Sequence, residues 1–266
     1  MSVACTCVCP SRRNFVGGVN VFGCPPVAWL RFSLLMLLLL TPQFLPAQSA
    51  SPRFNARILV DDILRYRLVS GQRVFGEAII TIVHDSTANL IHIAESTTGL
   101  FERSSKFTLK ADSTLRPLLQ HTMVSEHEFL QECRLEYHEH AVTGEVKRPE
   151  GFGGSFAINK RLNRDAADIY AVQHLVRASH LSVGRMLTFP IYNAFDNEES
   201  LARGWISKTE TVTVPAGAFQ CFRVEGFSGK ARWILLLDTA YPHRIIKQIY
   251  PSAHLSLELV EVAATF

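Results

Sequence analysis

From residue 62 onward, apolar and polar positions alternate with a period of two, which is the pattern of β-strands with one buried face. Turn-forming clusters, such as residues 70–72 and 85–89, separate the alternating stretches. The alternation predicts strands over residues 63–69, 75–84, 90–96, 107–110, 118–124, 129–138, 142–146, 186–192, 205–214, 219–224, 231–237, 245–250 and 255–262. Many short strands in series favour an antiparallel sheet or barrel.

Two stretches interrupt the strand pattern. Residues 147–163 contain three glycines and are predicted to form a long loop. Residues 165–179 are predicted to form a helix that begins at Asp165 as its N-cap and packs one apolar face on the sheet. That face consists of Ile169, Val172, Leu175 and Val176. The predicted fold is therefore mainly β: a single curved antiparallel sheet or half-open β-barrel with one helix inserted mid-domain.

The N-terminal part has a different pattern. Residues 32–40 form the most apolar run of the chain and follow Arg31, and a small-residue segment comes after Pro42. A positive flank, a short apolar stretch and a small-residue exit are typical of a secretory signal peptide, cleaved here after Ala47 or Ser49. A retained membrane anchor is the weaker alternative, because a spanning helix needs about 20 apolar residues.

The signal peptide divides the chain into two parts. Residues 1–49 form the leader, of which residues 1–26 either extend the signal or lie upstream of the true start. Residues 50–266 are expected to form one exported β domain, since no hinge-like linker divides them.

Charge and cysteines are distributed unevenly between these parts. The chain has 27 basic and 24 acidic residues, and residues 1–50 carry three arginines and no acid, so that 24 of each sign remain. A formally neutral domain gives no indication of nucleic-acid binding. Four of the six cysteines precede residue 27, which leaves Cys133 and Cys221. In an oxidising compartment these two either form a disulfide or remain two small buried apolar residues.

The sequence contains no motif that indicates catalysis. The nucleophile elbow Gly-x-Ser-x-Gly, the Gly-x-Gly-x-x-Gly loop and the Walker pattern are absent. No catalytic residue and no cofactor are predicted, and the domain is not expected to be an enzyme. The alternative is a metal-dependent hydrolase, in which Glu136, His138 and His140 share one side of a strand and bind Zn²⁺. The competing interpretation is a solvated strand face with no metal.

Aromatic residues recur through the strand series. In a closed core they fill volume, whereas in a half-open barrel some would line an apolar ligand groove. The groove candidates are Phe107, Phe129, Tyr170, Phe189, Trp205, Phe219 and Trp233.

Two segments of the second half carry family motifs: Asp168 to Arg177, and Val-Pro-Ala-Gly-Ala-Phe-Gln-Cys at residues 214–221. With these segments the second half resembles a bacterial family, the domain of unknown function DUF 3108. Trp233 and Leu-Arg-Pro at residues 115–117 match further landmarks. The positions that match the family motifs are Asp168, Arg177, Pro215, Gly217, Cys221, Asp238 and Pro242.

The resemblance implies a location and a type of fold. Such proteins are exported by Gram-negative-type bacteria and have no assigned activity, and their sheets are similar to the half-barrels of lipoprotein carriers and outer-membrane lipoprotein receptors. We therefore expect a periplasmic protein, or one at the periphery of the outer membrane. It is expected to bind an apolar ligand (a lipid or a lipoprotein acyl chain) or an envelope protein, with at most peripheral membrane association. A structural or assembly factor without a small ligand is a further alternative.

Overall fold

The computed structural model describes residues 53–99, 101–126, 129–163 and 166–263. The predicted leader, with the predicted signal peptide and four cysteines, and the predicted cap Asp165 lie outside the described residues. Among the described residues, no helix has the length and apolar character needed to cross a membrane. The described residues belong to one compact unit.

Fifteen strands form one sheet in the described part of the chain. Their bounds are β1 Asp62–Ser70, β2 Arg73–Asp85, β3 Leu90–Gly99, β4 Glu102–Lys110, β5 Pro117–Glu126, β6 Phe129–Tyr137, β7 Ala141–Lys147, β8 Phe156–Arg161, β9 Ala167–Asp168, β10 Met186–Asn193, β11 Glu198–Val214, β12 Gly217–Ser228, β13 Ala231–Asp238, β14 Ile245–Tyr250 and β15 Leu255–Ala263.

The first and last strands of the chain lie at the centre of the sheet, and the strands from the middle of the chain lie at its two edges. The sheet order runs β8-β7-β6-β5-β4-β3-β2-β1-β15-β14-β13-β12-β11-β10-β9, so that the first and last strands pair at its centre. Neighbours are antiparallel except for the two-residue parallel contact between β9 and β10. The predicted fold, a mainly β protein with a single open curved sheet and one helix, is confirmed.

Several sequence-based boundaries are wrong, and two of them show the cause most clearly. The predicted loop over residues 147–163 contains β8, which pairs with β7 from Val146 to Ala141. Strand β11 begins at Glu198 and not at residue 205, because its first half pairs with β10. In both places a tertiary partner strand extends the β-structure beyond what the local pattern indicates.

The helix is shorter than predicted. Asp168 has extended dihedral angles (φ −67°, ψ 143°), and its carboxylate accepts a hydrogen bond from the amide of Tyr170 at 2.8 Å. A 3₁₀ turn (Ile169–Ala171) follows, and the α-helix, α1, covers Val172–Ala178. The predicted apolar face packs in the core, with Val172, Leu175 and Val176 buried and Ile169 partly buried. The polar residues of α1 are buried as well, which the pattern does not predict.

The core consists of two clusters. The larger cluster combines α1 with the inner faces of β1–β4 and β10–β15, which places the helix inside the curve of the sheet. The smaller cluster joins β6, β7 and β8 to the end of β10; it contains Cys133, Leu135, Tyr137, Val142, Val146, Ile158, Leu162, Ala166, Tyr192 and Ala194.

Side chains connect the two ends of the open sheet. Lys160 Nζ donates to the carbonyl of Asn197 at 2.7 Å, and the amide of Asn163 donates to the carboxylate of Glu199 at 2.9 Å. Arg148 donates to the carbonyl of Phe195 at 3.2 Å. This seam links the β7–β8 side to the β10–β11 hairpin without a strand ladder.

The indole of Trp233 packs against Gly226 on β12 and Gly204 on β11. It donates to Ser228 Oγ at 2.9 Å, and a Cβ atom added at Gly226 would lie 2.3 Å from ring atoms of the indole. We expect Gly226→Ala to lower the free energy of unfolding by about 1–3 kcal/mol, because the packed core has no space for a methyl group. Chemical denaturation measures this loss, and Gly151→Ala, with no atom within 4 Å of the added Cβ, is the control. Equal stability of the two variants would contradict the described packing.

Candidate functional site

A buried ion pair connects α1 to the first strand. Arg177 lies at the end of the helix with no solvent exposure, and its guanidinium contacts the Asp62 carboxylate at 2.9 Å. Its Nε donates to the carbonyl of Pro242 at 3.1 Å, and Arg244 contacts the second oxygen of Asp62 at 2.9 Å. Burial lowers the pKa of Arg177, and the hydrogen bond and charge of Asp62 oppose this effect.

A second buried group lies one turn earlier on the helix. His174 Nε2 is 2.7 Å from Glu95 Oε1 on β3, and Gln173 donates to the same oxygen. Arg103 on β4 contacts the other oxygen of Glu95 at 3.0 Å. Although burial acts in the opposite direction, the His174 hydrogen bond and the Arg103 charge hold the pKa of Glu95 below its ordinary value.

A third buried group precedes the helix. Besides the amide of Tyr170, Asp168 accepts a hydrogen bond from the Tyr137 hydroxyl on β6 at 3.2 Å. Burial raises the pKa of Asp168 to about 7, and the two hydrogen bonds only partly oppose it. Next to this pair, Gln120 donates to Thr122 at 3.0 Å within the interior.

Together these three groups anchor the helical segment to β1, β3 and β6. We name them the helix anchors: Asp62 with Arg177, Glu95 with His174, and Tyr137 with Asp168. The six side chains are buried, so a substrate in solution has no access to them. Their role is therefore structural: they fix the helix inside the sheet.

The sequence predicts only part of this arrangement. The family motif includes Asp168 and Arg177, and each of them pairs with a residue far away in the chain, Tyr137 and Asp62 respectively. Glu95 and Asp62 were missed, since single acids in alternating strands have the same pattern as solvated residues.

The seven predicted groove residues lie in different surroundings. Phe107, Phe189 and Trp233 are buried in the main core, and Tyr170 and Phe219 lie at its margin. The other two are elsewhere: Phe129 contacts Phe152 with the rings tilted by 52° and their centroids 4.2 Å apart, and Trp205 points outward with half of its surface exposed. The seven side chains do not line a common groove.

The remaining family-motif residues occupy turns and strand ends. Pro215 lies in the turn between β11 and β12, and Gly217 begins β12 with a φ of 132°, in the range that favours glycine. Asp238 ends β13 and accepts a hydrogen bond from the amide of Ala240 at 3.0 Å. Pro242 supplies the carbonyl that Arg177 contacts.

The two cysteines of the described residues are free and lie in different core clusters. Of the two interpretations, the structure therefore shows buried apolar residues. Burial raises the pKa of both the Cys133 and the Cys221 thiols to about 12, which leaves them protonated at neutral pH.

The predicted histidine pair does not lie on a strand. Strand β6 ends at Tyr137, so Glu136 is a strand residue while His138 and His140 lie in the turn before β7. His138 Nε2 lies 3.3 Å from Thr143 Oγ1. Within the part of the chain that the structure describes, no three His, Cys, Asp or Glu side chains are grouped for a metal ion. The strand that the alternation predicts ends before the two histidines, so Glu136, His138 and His140 do not share one side of a strand.

Two shallow surface cavities lie on the β4–β8 side of the sheet. One has a volume of about 580 Å³ and is lined by residues of β6, β7 and β8 and by Arg148. The other has a volume of about 670 Å³ and is lined by residues of β4–β7, including His121 and Arg134. Neither cavity is lined by a residue of α1.

These features define a class of protein: a curved antiparallel sheet that encloses one short helix held by buried polar groups. The sequence matches the family model "Protein of unknown function (DUF3108)" over residues 64–241, which is more than half of the chain. The chain belongs to this family, and the family resemblance predicted from the sequence is confirmed.

Comparisons with solved structures and with curated proteins add little about this chain. A crystal structure of a β-barrel-like protein of the domain of unknown function DUF1849 from Brucella abortus is similar at a TM-score of 0.47 and 10% sequence identity. That similarity covers 78% of this chain and 99% of the other chain. No curated protein has a matching sequence.

Proposed function

We propose that the protein is an exported, non-catalytic binding module of the bacterial cell envelope and that it recognises its partner with its outer surface. One observation carries the proposal: the anchored helix α1 occupies the inside of the curved sheet, where a carrier would hold its ligand. The remaining surface for recognition is the outer face of the strands.

The helix anchors argue against an interior acyl-chain site. To admit a chain, α1 would have to leave, which would separate Arg177 from Asp62 and His174 from Glu95. Separating one buried ion pair without replacement costs about 3–5 kcal/mol. An apolar ligand would have to supply this free energy before it contributes any net affinity.

The same anchors argue against the enzyme alternative. Two acids with displaced pKa values, Glu95 and Asp168, are buried and already paired with neighbouring side chains. Catalytic groups must contact a substrate, so their burial supports a structural role. Export is supported by the apolar run of the leader and by its small-residue exit.

Native mass spectrometry of the protein purified from the periplasm tests this proposal. We expect a polypeptide that begins at residue 48 or 50, with no bound lipid and no metal, because the interior is occupied and the leader is removed. The periplasmic yield of a variant with Leu38→Arg, which interrupts the apolar run, is the control for export and should fall sharply.

A stoichiometric lipid that stays bound through gel filtration would overturn the outer-surface proposal. A bound metal ion that is lost in the double variant His138→Ala, His140→Ala would support the hydrolase instead. Retention of the intact leader in the cytoplasm would overturn export.

A further inference from the structure

Three large apolar side chains project together from the outer face of β10, β11 and β12. Met186 lies directly opposite Trp205, and Phe227 is one diagonal step away, because it pairs with Arg203 two residues before Trp205. Their exposed fractions are 62%, 50% and 53%. Cross-strand partners share one face of a sheet, so these three side chains form a single outer patch.

The opposite face of the same strands is core. Leu187, Phe189, Ala202 and Val224 alternate with the outer-patch residues and are buried. The apolar side chains of the outer patch therefore do not belong to the core. They form additional exposed apolar surface on strands whose inner face is already packed. A cluster of this kind marks an interaction site.

Basic side chains surround the outer patch. Phe227 pairs with Arg203 on one side and with Arg232 on the other, Arg185 precedes Met186 in the chain, and Lys230 lies in the turn after β12. Glu225 is the acid nearest to Trp205, and it is already paired with Arg232 at 3.1 Å. Within the described residues, Arg185, Arg203 and Lys230 are in no ion pair, so the rim of the patch is net positive.

We infer that the outer patch docks the protein on an anionic membrane surface, with Trp205, Met186 and Phe227 inserted among the headgroups and the basic rim facing lipid phosphates. This inference deepens the proposed function by naming its partner. Aromatic side chains favour the membrane interface, and Lys and Arg are attracted to anionic lipid.

Area and shape favour a membrane over a protein partner. Three side chains at about half exposure offer roughly 300 Å² of apolar surface, whereas a stable protein interface buries about 800 Å² on each side. The patch lies on the face of a sheet, and neither of the two cavities described above is lined by its residues. Shallow insertion at a lipid surface needs no pocket and gains affinity from charge.

Sedimentation with lipid vesicles tests the inference. Protein from the periplasm is mixed with vesicles of phosphatidylglycerol and phosphatidylethanolamine, or of phosphatidylcholine alone, at low and at 0.5 M salt. We expect binding to the anionic vesicles at low salt, and loss of most of it at high salt or on phosphatidylcholine, because screening removes the attraction of the rim. Trp205→Ser should weaken binding about tenfold.

The charge of the rim is tested separately. Each basic residue near an anionic surface contributes about a fivefold factor to binding, so Arg203→Glu with Lys230→Glu should weaken it by roughly 30-fold or more. Lys106→Glu and Leu119→Ser are matched controls. They replace exposed residues on β4 and β5, outside the patch, and should leave binding within about twofold.

Tryptophan fluorescence gives a direct readout of insertion. After leader removal the protein has two tryptophans, Trp205 and the buried Trp233. Anionic vesicles should shift the emission to the blue and reduce quenching by acrylamide in the parent protein, and should change neither in Trp205→Ser.

Several results would overturn the inference. Absence of binding to anionic vesicles would do so, as would binding that the controls weaken as much as the patch variants. A concentration-dependent dimer in ultracentrifugation that Trp205→Ser abolishes would assign the patch to self-association instead. If vesicles fail to bind while native mass spectra show the lipid-free exported protein, only this inference fails and the proposed function stands.

Discussion

Asp62→Ala is expected to lower the free energy of unfolding by about 3–5 kcal/mol, because it leaves the guanidinium of Arg177 buried without its counter-charge. Arg177 has no solvent exposure, and one of its terminal nitrogens already has no hydrogen-bond partner among the described residues. The remaining contact would be the carbonyl of Pro242, with Arg244 close by as a like charge. Guanidinium denaturation followed by circular dichroism measures the loss.

Two further variants separate this effect from a general loss of charge. Glu261→Ala removes the acid of an exposed pair with Arg65, at 3.7 Å, and should cost less than about 1 kcal/mol. Adding Arg177→Met to Asp62→Ala should recover part of the loss, since an apolar side chain tolerates burial without a partner. Equal stability of Asp62→Ala and Glu261→Ala would show that α1 is not anchored by a buried pair.

The pH dependence of stability is expected to reflect Asp168. Burial raises its pKa to about 7 from 3.8, so between these values the folded protein holds a proton that the unfolded chain has released. The unfolded state then binds fewer protons, and the free energy of unfolding falls as the pH rises. We expect a loss of about 2–3 kcal/mol between pH 5 and pH 7.5 that is absent in Asp168→Asn.

Urea titrations at several pH values between 5 and 7.5 measure this slope. Asp112→Asn is the control. Hydrogen bonds from Thr114 outweigh the effect of burial and lower the pKa of Asp112, so this group makes stability depend on pH only below its ordinary pKa of 3.8. The pKa of Glu95 is lowered as well, so Glu95 makes stability depend on pH only below 4.5. A parent protein and an Asp168→Asn variant with the same slope would refute the assignment.

How far the sequence predicts the fold depends on how local each feature is. In β6, the buried Cys133, Leu135 and Tyr137 alternate with the more exposed Glu132 and Arg134, so the strand and its two faces follow from the pattern alone. The short strand β8 does not show in the pattern because a glycine-rich segment precedes it and, among the described residues, it pairs with β7 alone. The pairing that creates β8 is not visible in its own residues.

The candidate sites depend on contacts over long distances in the chain. His174 meets Glu95 across 79 positions and Arg177 meets Asp62 across 115 positions. On a helix of seven residues these polar side chains have the pattern of a solvated face, so the pattern predicts exposure where the structure shows burial.

The sequence by itself determined the series of strands, the position of the inserted helix and the family, because strand period, turn chemistry and family motifs are properties of neighbouring residues. Only the tertiary structure decided which face of each strand is interior. Trp205 and Trp233 both lie in strands that the sequence predicts, yet Trp233 packs over Gly204 and Gly226 in the core while Trp205 projects into solvent. Alternation separates two faces, but the direction in which the sheet curves decides which of them encloses the helix.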